Sequence, residues 1–310
     1  MAPAQWKYLQ SAAGLLLLLA GAYLTPASAR QDHNWRVIEN SHFQALSDAS
    51  PSDVEDLLLE LERFRLIVQK LTTVKVPPDA PPVNVVIFNN TDDFRKYTPN
   101  NNVAGFATHN NEGHLLIVMP VKIERADSMH DIRHEYVHTL MAYHKFRFPR
   151  WYNEGLAEFL ASVEMHDDEI IVGGPPKKRA QYWYYASLYS FDKLVADTID
   201  PTRASLADAY MQYWLMTHYM LTDPKRAAKL GKYIALYNSG MDSLKAFKLS
   251  FGETPSEMGR RDLRIYTRHM KSYRMKFDFS GVDNDFSVRP ARDQYVQSTS
   301  NYLSHLVWKQ

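Results

Sequence analysis

The sequence predicts an α+β fold: a small mixed sheet packed on a helix that begins near Asp127, followed by a mostly helical C-terminal lobe. Three observations carry that expectation. Short apolar runs at 83–88, 105–109 and 114–118 read as strands. The period of the apolar positions changes to helical at Asp127. Beyond residue 180 helical spacing persists nearly to residue 275. With 45% hydrophobic residues, the 310-residue chain has ample material for a core, which excludes a disordered or collagen-like protein.

The amino end reads as a separate object. Lys7 precedes an apolar stretch from Ala12 to Leu24, and Ala27-Ser28-Ala29 offers small residues where a signal peptidase cuts. Residues 1–29 are therefore expected to be a secretory signal, with a mature chain from Arg30 in the periplasm or outside the cell. An uncleaved membrane anchor is the alternative, although the stretch is short against the ~20 residues that span a bilayer. No second apolar segment suits a membrane crossing. Cysteine is absent, which excludes disulfides, thiolate metal ligands, cysteine nucleophiles and a lipoprotein anchor.

Residues 53–74 place apolar side chains three and four apart, with acids early and Lys70 late, and predict a helix. Four prolines between Lys75 and Pro82 break it. Val83 to Phe88 reads as a buried strand, closed by Asn89-Asn90, and a short helical piece follows at 92–97. Residues 105–109 and 114–118 flank Asn110-Asn111-Glu112-Gly113 and predict a hairpin. Asp127 or Ser128 caps the next helix, whose apolar face is Met129, Ile132, Tyr136, Val137, Leu140 and Met141. A corner at 146–149 leads into a second helix over 151–163. A turn surrounds Ile170 to Val172, and helices are expected at 181–197, 204–221, 225–237, 241–249 and 255–275, with one more near 290–306. The mature chain reads as one unit. Residues 30–163 hold the sheet and the two central helices, and 164–310 form the mainly helical lobe.

The net charge is +1 and no long basic run is present, so electrostatics gives no reason to expect nucleic acid or an anionic membrane as partner. The basic residues between Arg260 and Lys276 read as a solvated face. Oligomeric state is not legible.

His134-Glu135-Tyr136-Val137-His138 is the segment with chemistry in it. Residues four apart share a helix face, so His134 and His138 can direct ring nitrogens at one zinc ion. Glu135 lies about 100° around the helix from His134, adjacent to that point, where it suits a general base toward an attacking water. Zinc in catalytic sites commonly takes three protein ligands. Glu154 follows His138 by 16 positions, beyond a proline corner, which is enough chain to return a carboxylate from an antiparallel helix. Gly155 permits close helix approach, and Ala157 keeps the contact face small. Glu158 shares the face of Glu154 and is expected to accept the outer N–H of a ligand histidine. His144 is off the pair's face.

HEYVH followed by WYNEGLAEF resembles the gluzincins, the thermolysin-like zinc peptidases whose third ligand is a glutamate, and is most similar to bacterial peptidase-MA-like proteins. The resemblance spans about residues 80 to 265 and is most specific at 133–159. It implies a zincin-like fold, one zinc per chain on His134, His138 and Glu154, and Glu135 as base and acid. It also implies a sheet edge that binds extended peptide, expected here along His114 to Val118. The chain lacks the Gly-x-Met-Glu-Asn stretch of the aminopeptidases, so amino-terminal recognition is not carried over.

The expected function is therefore a zinc endopeptidase of the cell envelope acting on peptide or protein substrate. A donor beyond the metal should stabilise the oxyanion, and Tyr210 is the favoured residue within the aromatic segment 209–219. Two alternatives fit the same residues: a zincin-fold binding or scaffold protein with little turnover, and a hydrolase of a non-peptide or cell-wall amide.

Overall fold

The computed structural model describes residues 34–98, 105–110, 113–122, 126–176, 189–199 and 203–307. The expected signal segment, the stretch 99–103 and residues 181–188 of the helix expected at 181–197 lie outside those residues. So do the rings at Tyr182 to Tyr185.

Residues 34–47, which the sequence reading left without structure, form two strands, β1 (Arg36–Glu39) and β2 (Phe43–Ser47). Their turn is built by Asn40, whose side-chain oxygen accepts the backbone N–H of His42 at 3.0 Å and of Phe43 at 2.9 Å. Helix α1 (Pro51–Thr72) follows, capped by Ser50, which accepts the Asp53 N–H. Its apolar face, including Val54, Leu58, Leu61, Phe64 and Ile67, is fully buried. Strand β3 (Val83–Phe88), short helix α2 (Thr91–Arg95) and strands β4 (Phe106–His109) and β5 (Leu115–Pro120) occupy the expected places. The β4–β5 pair is antiparallel, and Gly113, at φ +81°, takes the left-handed conformation its turn requires.

Among the described residues, six strands make one sheet in the order β4-β5-β3-β2-β1-β9, where β9 is Ser287–Pro290. β2, β3 and β5 run parallel, and the other neighbours pair antiparallel. The sheet is thus larger than expected and draws on both ends of the chain, with Val37 opposite Arg289. One consequence corrects an expectation. β5 lies between β4 and β3 with both edges paired, so the strand His114 to Val118 has no free edge for an extended substrate. Among the described residues, the outer strand on that side of the sheet is β4, and β9 is the outer strand at the opposite edge.

One sheet face packs on α1 and α3 (Ala126–Met141) through Phe43, Val85, Ile87, Ile117 and Met119. The other face, with Val86, Phe88, Leu116 and Val118, is covered by Phe94 of α2 and Leu303. Leu303 belongs to the last helix, which spans Asp293–Val307. α3 already contains Asp127 and Ser128, so neither is the residue before its first turn.

α4 (Arg150–Ala161) follows the corner and is buried along most of its length. Strands β6 (Glu164–Met165), β7 (Glu169–Val172) and β8 (Tyr273–Lys276) form a second, three-stranded sheet. Beyond it lie α5 (Phe191–Val195), α6 (Arg203–Leu221), α7 (Pro224–Asn238) and α8 (Ser243–Phe251). The helix expected over 255–275 is not continuous. α9 (Pro255–Met258) passes through a π-helical turn, Gly259–Leu263, into α10 (Arg264–Tyr266), and the chain then extends into β8. Pairing with β7 decides the outcome for 273–276. Arg274 meets Glu169, and Lys276 reaches Asp168 at 2.5 Å, so residues that suit a solvated helix face serve equally well on an exposed strand. Among the described residues, no helix is long and apolar enough to cross a membrane.

Candidate metal centre

α3 buries Met129, Ile132, Tyr136, Val137, Leu140 and Met141 against the sheet and α1, which turns His134 and His138 toward α4. α4 is brought in by α6. A Cβ added to Gly155 would stand 2.3 Å from Thr217 Oγ1 and 2.4 Å from the Tyr213 carbonyl oxygen, so only glycine admits this approach. Trp151 anchors the start of α4, its indole N–H donating to the Tyr233 hydroxyl at 2.9 Å.

Three donor atoms converge where α3 and α4 face one another. His134 Nε2 and His138 Nε2 are 3.1 Å apart, and Glu154 Oε2 lies 3.2 Å from the first and 3.4 Å from the second. A tetrahedral zinc with bonds of about 2.0–2.1 Å separates its ligand atoms by about 3.3–3.4 Å. The triangle therefore has the size that zinc demands, and its two nitrogens and one oxygen are the donor types that zinc takes. His134 is buried, and His138 and Glu154 are half-buried.

The electrostatics agree. Burial acts to lower the His134 pKa, but the carboxylates of Glu154 and Glu158, which accept from the ring, outweigh it and raise the ring to about 9. Burial also opposes ionisation of Glu154, and the two imidazoles overcome it and hold that carboxyl well below the usual range.

The outward nitrogens of both imidazoles also meet α4. His134 Nδ1 is 3.1 Å from Glu158 Oε1, and Glu158 is fully buried. The Asn153 amide lies 3.2 Å from His138 Nδ1. One helix thus carries the third donor and a partner for each histidine. The carboxylate beside His134 Nδ1 favours the tautomer whose Nε2 faces the metal, whereas at His138 the contacting atom is the amide nitrogen of Asn153. Asn153 was missed in the sequence, although its place beside Glu154 was a usable signal. His130 was missed as well. Its Nε2 stands 3.6 Å from Glu158 Oε2, and its spacing of four before His134 was readable.

Glu135 is half-buried on α3, next in sequence to His134, and is not one of the three converging donors. Tyr210, on α6, packs edge-on against the His134 ring with centroids 5.8 Å apart, which brings it beside the centre. His218 does not join it. It is buried, contacts the Gly173 carbonyl at 3.0 Å and the Tyr266 hydroxyl at 2.7 Å, and belongs to the core. His144 packs on Phe146 and Phe148 at the corner after α3.

No known family profile matches the chain, and no curated protein matches it.

Proposed function

We propose that the chain is a zinc-dependent peptidase of the gluzincin type, most similar to the peptidase-MA-like group, acting in the cell envelope after removal of residues 1–29. The observation that carries this reading is the 3.1–3.4 Å triangle of His134, His138 and Glu154 with Glu135 one residue from its first member. Those three side chains hold the ion. Zinc, when bound there, supplies a Lewis acid that acidifies water and polarises a carbonyl.

The rest falls to the chain's own groups. Glu135 takes the proton from the attacking water and returns it to the departing amine. Glu158 accepts the outer N–H of His134 and so leaves its Nε2 for the metal, and Asn153 holds the His138 ring in place from its outer side. Tyr210, whose ring lies beside that of His134, donates to the oxyanion. The substrate lies extended along β4, the outer strand, and pairs with it through backbone groups. Packing of Gly105 against Ile132 of α3 supports that placement. A Cβ at Gly105 would meet the Ile132 side chain at 3.1 Å, so the entrance to β4 runs against the metal-bearing helix.

Elemental analysis of protein purified in zinc-replete medium, followed by a cleavage assay on unfolded protein, tests the reading. One zinc per chain and hydrolysis support it. Zinc-loaded protein that cleaves neither unfolded protein nor mixed peptides favours the scaffold alternative, and cleavage of isolated cell wall alone favours the amide hydrolase.

A further inference from the structure

Three histidines stand four residues apart along α3: His130, His134 and His138. The first takes no part in the triangle. Its Nε2 lies 3.6 Å from Glu158 Oε2, while the other oxygen of the same carboxylate lies 3.1 Å from His134 Nδ1. The Glu158 side chain is 0% exposed and that of His130 is 14% exposed. One buried carboxylate from α4 is therefore bracketed by two imidazoles a turn apart on α3, of which only one belongs to the metal centre.

We infer that His130 is a positioning residue for the metal. Through Glu158 it fixes the orientation of His134 and thereby sets zinc affinity. The inference rests on the zinc reading above. A buried carboxylate is costly unless its oxygens meet N–H groups or positive charge. His130 sets the edge of its imidazole beside Oε2, while Oε1 stays within 3.1 Å of His134 Nδ1. At 3.6 Å the contact is longer than a hydrogen bond, so the ring acts through its polar edge and the space it occupies. Asp131 Oδ1 lies 3.7 Å from His130 Nδ1 on the ring's other side. A leucine at 130 fills similar space but presents no polar edge, so one constraint on the Glu158 carboxylate is lost.

The test is zinc affinity, by competition with a chromophoric chelator, for wild type and for His130→Leu, His130→Gln, His130→Asn, Glu158→Gln and the His130→Leu/Glu158→Gln double variant. Wild type should bind one zinc. His130→Leu should weaken binding by about 10–100-fold, the range for loss of an outer partner of a ligand histidine. His130→Gln, whose amide nitrogen reaches where Nε2 was, should recover most of that loss. His130→Asn, whose shorter side chain cannot reach Oε2, should not. In the Glu158→Gln background, His130→Leu should add less than twofold, because the two side chains act in series. Wild-type affinity in His130→Leu would overturn the inference, as would an equal loss with and without Glu158. Should the leucine variant not fold, the Gln and Asn pair decides alone, and equal affinity in those two would overturn it. Wild type that binds no zinc would overturn the metal reading itself, a separate and visible failure.

Discussion

Gly155 lies directly against the backbone of Tyr213, so that a Cβ at position 155 would stand 2.4 Å from the Tyr213 carbonyl oxygen. This contact sets how close α4 comes to α6, and α4 carries Glu154, Glu158 and Asn153. Replacement by alanine must push the two helices apart. Gly155→Ala should cost at least about 1–3 kcal/mol, the usual penalty for overpacking a tight interior. It should also weaken metal binding. Urea unfolding of the metal-free variant measures the first effect. Unchanged stability would mean that the helices separate freely.

The ligand set makes a graded expectation. Glu154→Ala removes one of three donors, whereas Glu135→Gln alters a group outside the triangle. Zinc affinity should fall much further in Glu154→Ala than in Glu135→Gln. Chelator competition on both variants checks this, and equal affinities would remove Glu154 from the ligand set.

Acid stability should report His218, remote from the metal. Burial holds its pKa below the ordinary value, against the carbonyls of Gly173 and Lys271, which favour the charged form. The unfolded chain, with a histidine pKa of about 6.5, therefore binds more protons in the interval between the folded and unfolded values. Stability from this group is present above pH ~6.5 and is lost as pH falls through that interval. His218→Gln should be less stable than wild type at pH 7, and should lose less stability between pH 7 and pH 5. Parallel losses in urea midpoints would contradict the assignment.

Tyr210→Phe tests the oxyanion donor. Removing one hydroxyl should lower turnover but leave zinc affinity intact, because Tyr210 meets His134 through its ring and is not one of the three donors. The loss should be smaller than that of Glu135→Gln. A change in zinc affinity without a change in turnover would make Tyr210 a packing residue.

Much of the centre was legible because it is local. His134, Glu135 and His138 are fixed by helical spacing, and Gly155 beside Glu154 announced a close helix contact. His130 obeyed the same spacing and was readable in principle. What escaped is non-local or short. β1 and β9 have four residues each and pair across some 250 positions, which no periodicity reveals. Likewise 273–276 became a strand only because β7 offers it an edge, while its own composition suits a helix as well. That β5 is interior follows from sheet order, again a tertiary fact.

Turnover by wild type and Glu135→Gln, both loaded with one zinc and assayed side by side on unfolded protein and mixed peptides, tests the peptidase chemistry most directly. The amide is nearly isosteric with the carboxylate but cannot take the proton from the attacking water. Wild type should cleave, and Glu135→Gln should retain fold and zinc while losing at least ~10²-fold in kcat, the lower range for a positioned general base. Equal turnover by the two zinc-loaded proteins would contradict the mechanism.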